Sequence, residues 1–233
     1  MAIAGLAFWP LRYLSRILRK LEYLPCIPTR GTEVPAGPDW FHEIKHDGYR
    51  LIVQREGKRV RLLTRRGYDW SDRYPLIVQA ALRLRKSSFV IDGEAVVLGA
   101  DSISDFAALY SGKRNAEVRL YAFDLLADDG VDMRDETLQI RKLWLGKLLK
   151  RSTDAIILNE HETGEIGPAL FRQGCKMGVE GIVSKHRESS YRPGPCKHWI
   201  KVKNPKSPAM ARGVPRNFSK EFARRANSSG SER

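Results

Sequence analysis

The sequence predicts an α+β fold of antiparallel β-sheets flanked by helices, and three observations predict it. Short β-rich runs fall at 40–45, 49–55, 60–64, 89–98, 118–125, 181–185 and 198–203, each of ordinary strand length and bounded by turn residues. Helical segments at 75–86, 136–150 and 165–177 separate them at uneven intervals, unlike the regular alternation of a parallel βαβ wind. With 233 residues and 42% hydrophobic content, the chain can bury one sizeable core.

Taken in order, Leu11, Leu14, Ile17, Leu18 and Leu21 share one helical face, with Arg12, Arg16 and Arg19 outside it. Residues 1–24 therefore read as a basic amphipathic helix, one that packs on the domain or touches a membrane or nucleic acid. Residues 25–38 are rich in Pro, Gly and Thr and read as an extended linker with no chemistry of its own. The run at 89–98 is interrupted near Gly93, where glycine weakens a strand. Ile77, Leu82 and Leu84 mark the first helix; Leu138, Leu145, Leu148 and Leu149 mark the second. After Asn204, Pro and Ser recur among Arg and Lys, so 206–233 reads as a basic, disordered tail beyond a domain at 25–205.

Lys and Arg number 41 against 27 Asp and Glu, a formal charge of +14 spread along the chain. That excess favours a polyanionic partner such as nucleic acid, because neutralised phosphates release counterions. Cys26, Cys175 and Cys196 are odd in number and lack Cys-x-x-Cys spacing, so neither a disulfide framework nor a zinc site is implied and a reducing, cytoplasmic setting is expected. The longest apolar stretch, Met1 to Pro10, is too short to span a bilayer, so no stable membrane insertion is expected. His46, His186 and His198 show no metal-ligand spacing.

The strongest local signal is Glu43-Ile-Lys45-His-Asp47-Gly48-Tyr-Arg50. By itself an Asp-Gly pair after a strand is a hairpin turn, since Gly tolerates positive φ. Its company changes the reading. Thr64-Arg65-Arg66-Gly67, Asp92-Gly93-Glu94, Tyr121-Ala-Phe123-Asp124, Glu180-Gly181-Ile-Val-Ser-Lys185 and Trp199-Ile-Lys201-Val-Lys203 follow in order, each on or beside a strand. This ordered set resembles the nucleotidyltransferase motifs of ATP-dependent DNA ligases, a superfamily shared with RNA ligases and mRNA capping enzymes. Ser189-Ser-Tyr191-Arg-Pro-Gly194 brings it nearest to the ligase module of bacterial end-joining proteins. The likeness runs from about Leu24 to Pro205.

The physical reading stands beside it. An amine must be neutral to attack, and a free lysine sits near pKa 10.4. Cations and burial lower that value, and Arg50, Arg65, Lys201 and Lys203 are candidate cations if the strands converge. The same cations, with a metal, would neutralise a triphosphate as pyrophosphate leaves. Glu94 and Glu180 are acids on strand-like runs, and a buried acid requires a partner such as a hard divalent ion.

The resemblance implies an ATP-grasp-like nucleotidyltransferase core with ATP between its sheets, and roles for the matched positions. Lys45 is the implied adenylated nucleophile, with Asp47 and Gly48 shaping its loop. Arg50 and Arg65 lie by the nucleotide and later by the 5′-phosphate of the nick. Glu43 sits by the adenine edge, Glu94 by the ribose or a metal water, and Phe123 stacks on the base. Glu180 serves the metal, Mg²⁺ or Mn²⁺, while Lys201 and Lys203 hold the α-phosphate. Singly, each has a plainer reading: Phe123 as core, Lys201 and Lys203 as a solvated strand face, Glu180-Gly181 as a helix end. Their joint order favours the functional one.

Family ligases continue after the fifth motif into an OB-fold barrel, and residues after Asn204 carry too few strand-like runs to form one. The expectation is an enzyme that adenylates itself and transfers AMP to nicked or broken double-stranded DNA. A partner protein would supply the barrel or the end-joining function, in a bacterial cytoplasm at the nucleoid. The alternatives are a decayed DNA-binding remnant, or an RNA ligase or capping-type transferase.

Overall fold

The computed structural model describes residues 23–150 and 155–211; the amphipathic segment before Tyr23 and the basic tail after Ala211 lie outside the described residues. Among the described residues, eleven strands form two sheets. In the first, β1 (Cys26–Arg30), β11 (Gly194–Lys203), β10 (Gly181–His186), β2 (Trp40–Ile44) and β9 (His161–Thr163) lie in that spatial order. In the second the order is β4 (Arg59–Thr64), β3 (Tyr49–Glu56), β5 (Ser88–Val96), β6 (Arg119–Asp128) and β7 (Val131–Asp132), with β8 (Ile156–Leu158) also beside β6. Pairing is antiparallel except for β1 with β11 and β8 with β6, which are parallel. No closed barrel occurs among the described residues.

Alternation along the strands builds the layers, because successive side chains point to opposite faces. Leu51, Val53 and Ile91 face outward from the second sheet into a core shared with α1 (Pro75–Arg83), α2 (Phe106–Ser111) and α3 (Leu138–Leu149). Their neighbours Ile52 and Val90 face the other way, where Phe41, Phe123, Tyr191 and Trp199 fill the space between the sheets. On the far side of the first sheet, Ile182 and Val202 pack with Leu170 and Phe171 of α4 (Gly167–Met177). A short α5 (Pro208–Ala211) closes the described chain. Among the described residues, no helix is long and apolar enough to cross a membrane.

Several expectations change. The supposed linker carries β1, which pairs in parallel with β11 through a register shift at Pro28 and Thr29; Pro28 is tolerated because the strand is an edge. β5 runs through Gly93 without a break, and the glycine instead marks a register shift against β6. There a Cβ would lie 2.8 Å from the Tyr121 carbonyl oxygen. The first helix stops at Arg83 because Leu84 turns extended, and Arg55 caps it by donating to the Ala81 and Leu84 carbonyls at 2.7 and 2.8 Å. Glu180-Gly181 is no helix end: α4 stops at Met177 with Gly178 left-handed, and Gly181 opens β10.

Candidate active site

A cleft opens between the two sheets, and the alternation of six strands decides what lines it. Glu43 on β2, Arg50 on β3, Glu94 on β5, Phe123 on β6, Val183 and Lys185 on β10, and Trp199 and Lys201 on β11 all turn inward to it. Ile27 and Pro28 from β1, Ile44 at the end of β2 with Lys45 and His46 after it, Arg65 from the turn after β4, and Asn159 complete the wall.

Lys45 stands where the chain leaves one sheet for the other. Its backbone N–H donates to the Gly181 carbonyl at 2.9 Å, and Asp47 and Gly48 carry the chain across to β3. The Asp-Gly pair is therefore a crossover between sheets rather than a hairpin. Gly48 has no left-handed φ; it is small because a Cβ there would lie 2.1 Å from the Ala95 carbonyl oxygen. The Lys45 ammonium pairs with Glu180, whose other carboxylate oxygen lies 2.9 Å from the Lys203 ammonium. Glu180 is 6% exposed, so this acid is buried only because two cations neutralise it.

Four cations crowd this end of the cleft. The Lys201 ammonium is held below the usual lysine range, first by burial and then by repulsion from Lys45, Lys203 and Arg65. Such a cluster is poised for a polyanion. Opposite it, Glu94 is pushed up to about 7 by burial, which the nearby Lys45 and Arg50 only partly offset and Glu180 and Asp92 reinforce. No hydrogen bond or ion pair satisfies the Glu94 carboxyl among the described residues. An unsatisfied carboxyl of this kind fits a hard divalent cation that draws further oxygens from phosphate and water, with Glu180 close by but held by Lys45 and Lys203.

The other end of the cleft is a buried charge network. Glu43 is 2% exposed, and its two oxygens lie 2.8 Å from Lys142 of α3 and 2.8 Å from Lys185. The Asn159 amide donates to the same carboxylate at 3.2 Å. Burial would raise the Glu43 carboxyl, but the two ammoniums outweigh it and hold it below the usual range. The Lys185 ammonium lies 4.1 Å from the ring centroids of both Phe123 and Trp199, a cation seated in an aromatic corner. Burial depresses it, and Glu43 offsets part of that effect.

Of the residues singled out from the sequence, Glu43, Lys45, Arg50, Arg65, Glu94, Phe123 and Lys201 line the cleft. Glu180 reaches it through its contact with Lys45, and Lys203 stands behind it, paired with the other oxygen of Glu180. Asp47 and Gly48 do not line it; Asp47 faces an adjoining hollow with Glu180, Ser104 and Ser207. Sequence reasoning assigned no part to Lys185 or Trp199, although Lys185 closes a motif already quoted and Trp199 shares a face of β11 with Lys201 and Lys203. It had no signal for Ile27, Pro28, Lys142 or Asn159, which arrive from distant segments.

Comparison with known proteins adds a family. The model of the ATP dependent DNA ligase domain matches residues 17–203. The multifunctional non-homologous end joining protein LigD of Pseudomonas aeruginosa is 36% identical over 174 residues, 73% of this chain. The multifunctional non-homologous end joining DNA repair protein LigD of Mycobacterium tuberculosis is 36% identical over 184 residues, 77% of this chain. The solved structure of mycobacterial DNA ligase D complexed with ATP and MES superposes with a TM-score of 0.68 at 31% identity, covering 77% of this chain. The chain spans 21% and 24% of those two relatives and 60% of that structure.

Proposed function

This chain belongs to the ATP-dependent DNA ligase domain family, and on that premise we propose that Lys45 is its adenylated nucleophile. The neutral amine attacks the α-phosphorus of ATP; a P–N bond forms as the bond to the bridging oxygen of pyrophosphate breaks. AMP then passes from Lys45 to the 5′-phosphate oxygen of a nicked or broken duplex, restoring the amine. Attack by the 3′-hydroxyl joins the strands and releases AMP. The observation that carries this reading is the meeting of one amine, two acids and three further cations at one end of a single cleft.

Glu180 accepts from the Lys45 ammonium and is the group positioned to hold the proton that the amine must shed. Arg65, Lys201 and Lys203 neutralise the phosphates, with Arg50 beside them. Phe123 gives the base a ring to stack on. The carboxylate of Glu43 is committed to Lys142 and Lys185, so recognition of the adenine edge falls to its main chain. Glu94 and Glu180 would hold Mg²⁺ or Mn²⁺, which when bound supplies charge neutralisation for the leaving pyrophosphate.

We further propose residues 25–205 as the adenylation unit and duplex DNA at the bacterial nucleoid as its substrate. Sealing would draw on an OB-fold barrel and end-joining partners outside the described residues. The test is incubation of the pure chain with α-labelled ATP and Mg²⁺. A protein-bound label is expected that Lys45→Ala abolishes. Undiminished label on Lys45→Ala, or ATP binding without any label, sinks the proposal; label from GTP instead would favour capping chemistry.

A further inference from the structure

Tyr191 lies between β10 and β11, in the segment 189–194, and takes no direct part in the adenylation steps. It is 1% exposed, and its ring is pinned edge-on against Trp199 at 5.8 Å, with the Arg141 guanidinium 5.8 Å away. Its hydroxyl makes two bonds. It donates to Asp92 Oδ2 at 2.6 Å and accepts from the backbone N–H of Cys26 at 2.9 Å.

Arg50 closes the circle. Its Nη2 donates to the same Asp92 Oδ2 at 2.5 Å, its Nε to Oδ1 at 2.9 Å, and its Nη1 to the Cys26 carbonyl at 2.6 Å. Arg50, Asp92, Tyr191 and Cys26 thus form a ring of hydrogen bonds drawn from β3, β5, the segment before β11, and β1. Two of its spokes are walls of the cleft: Arg50 itself, and β1, whose Ile27 and Pro28 follow Cys26 directly. Three of the five guanidinium N–H groups are spent inside the ring, which leaves two for a phosphate.

Resting on the adenylation reading, we propose that Tyr191 is a positioning residue: its hydroxyl locks Asp92 and β1 together so that Arg50 presents its two remaining donors to the nucleotide. Asp92 is fully buried, and such a carboxylate is oriented by the donors around it. Remove the hydroxyl, and Oδ2 keeps only Arg50 while the Cys26 N–H loses its acceptor. The guanidinium and its carboxylate are then tied to β1 by the single bond from Arg50 Nη1 to the Cys26 carbonyl, and the β1 wall is released on its other side.

The experiment is Tyr191→Phe, which keeps the ring's volume. We expect its rate of self-labelling from α-labelled ATP to fall about tenfold, the effect of one hydrogen bond to a charged group. Melting is expected to stay within a few degrees of wild type, and the Arg50 Nε–H resonance to move. Acting only through Arg50, the substitution is expected to add little to the loss already caused by Arg50→Lys. Wild-type labelling by Tyr191→Phe, losses that multiply in the double variant, or an unmoved Arg50 resonance each overturns the proposal. If the wild-type chain takes no label, the adenylation reading fails by itself, and the Arg50 resonance still decides whether the ring exists. If the phenylalanine variant folds poorly, 3-fluorotyrosine at 191 weakens the hydroxyl as an acceptor without loss of volume. The resonance is then expected to shift, and an unmoved one again overturns the idea.

Discussion

Glu94 shows how much of the chemistry is decided by single side chains. It stands on the inner face of β5, where burial pushes its carboxyl from an ordinary 4.5 to about 7. Below about pH 4.5 the folded and unfolded chains both carry the proton. As pH rises from there to about 7, the unfolded chain releases a proton that the folded chain keeps, so stability falls across that window. His46 and His161, both held down to about 4 by burial, act in the opposite sense, losing stability as pH falls. The Glu94 contribution is therefore isolated by comparing wild type with Glu94→Gln in urea unfolding at pH 5 and pH 8. The variant is expected to gain on wild type between those values, by on the order of 2 kcal/mol, in the ligand-free protein. Equal differences at the two pH values would mean that the carboxyl is solvated rather than buried. Motif order disclosed this residue and Lys45, because both lie within short runs of linked signals. The partners of Glu43 were hidden, since Asn159 stands 116 positions away in sequence and Lys142 lies in a helix chosen only for its leucines.

Strands do for the site what side chains cannot do alone, and Gly48 is one of the places where backbone approaches backbone too closely for a side chain. β3 begins at Tyr49 and runs beside β5, with Tyr49 opposite Ala95 and Arg50 opposite Glu94. A methyl at Gly48 would sit 2.1 Å from the Ala95 carbonyl oxygen, a clash with backbone that no rotamer relieves. Gly48→Ala must therefore push the strands apart beside Arg50 and Glu94. A loss of roughly 1–3 kcal/mol is expected, a fall in Tm of about 2–4 °C for each kcal/mol, together with loss of self-labelling. A variant that melts and labels like wild type would show that the crossover yields freely. The longer strands were legible beforehand because five or more residues suffice to declare a β-run. β7, β8 and β9 were not: two or three residues each carry no recognisable pattern. β1 was masked by Pro28 within it and Pro25 just before it, and its pairing with β11 spans 168 positions from Cys26 to Gly194, a register set by folding rather than by local sequence.

At the scale of the whole molecule the question is which of the excess positive charges remain available to a polyanion. The formal +14 overstates them, because many cations are already paired within the fold. Lys86 lies 2.5 Å from Asp128 and 3.3 Å from Asp129; Lys142 and Lys185 are both spent on Glu43. Arg65 is exposed at the cleft wall, and its repulsion of Lys201 shows positive charge accumulating there. A nicked duplex bound at this cleft displaces counterions in proportion to the phosphates neutralised, and log K falls with log salt by about 0.9 for each. Anisotropy of a labelled nicked duplex, titrated between about 50 and 200 mM KCl, measures that slope. Arg65→Ala is expected to weaken binding and to make the slope shallower by about 0.9, the signature of one lost phosphate contact. Lys86→Ala is expected to leave the slope unchanged, because its charge is already balanced by two acids. If both substitutions alter the slope equally, the duplex senses overall charge rather than this cleft. If neither does, the positive end of the cleft serves the triphosphate alone and DNA is held elsewhere.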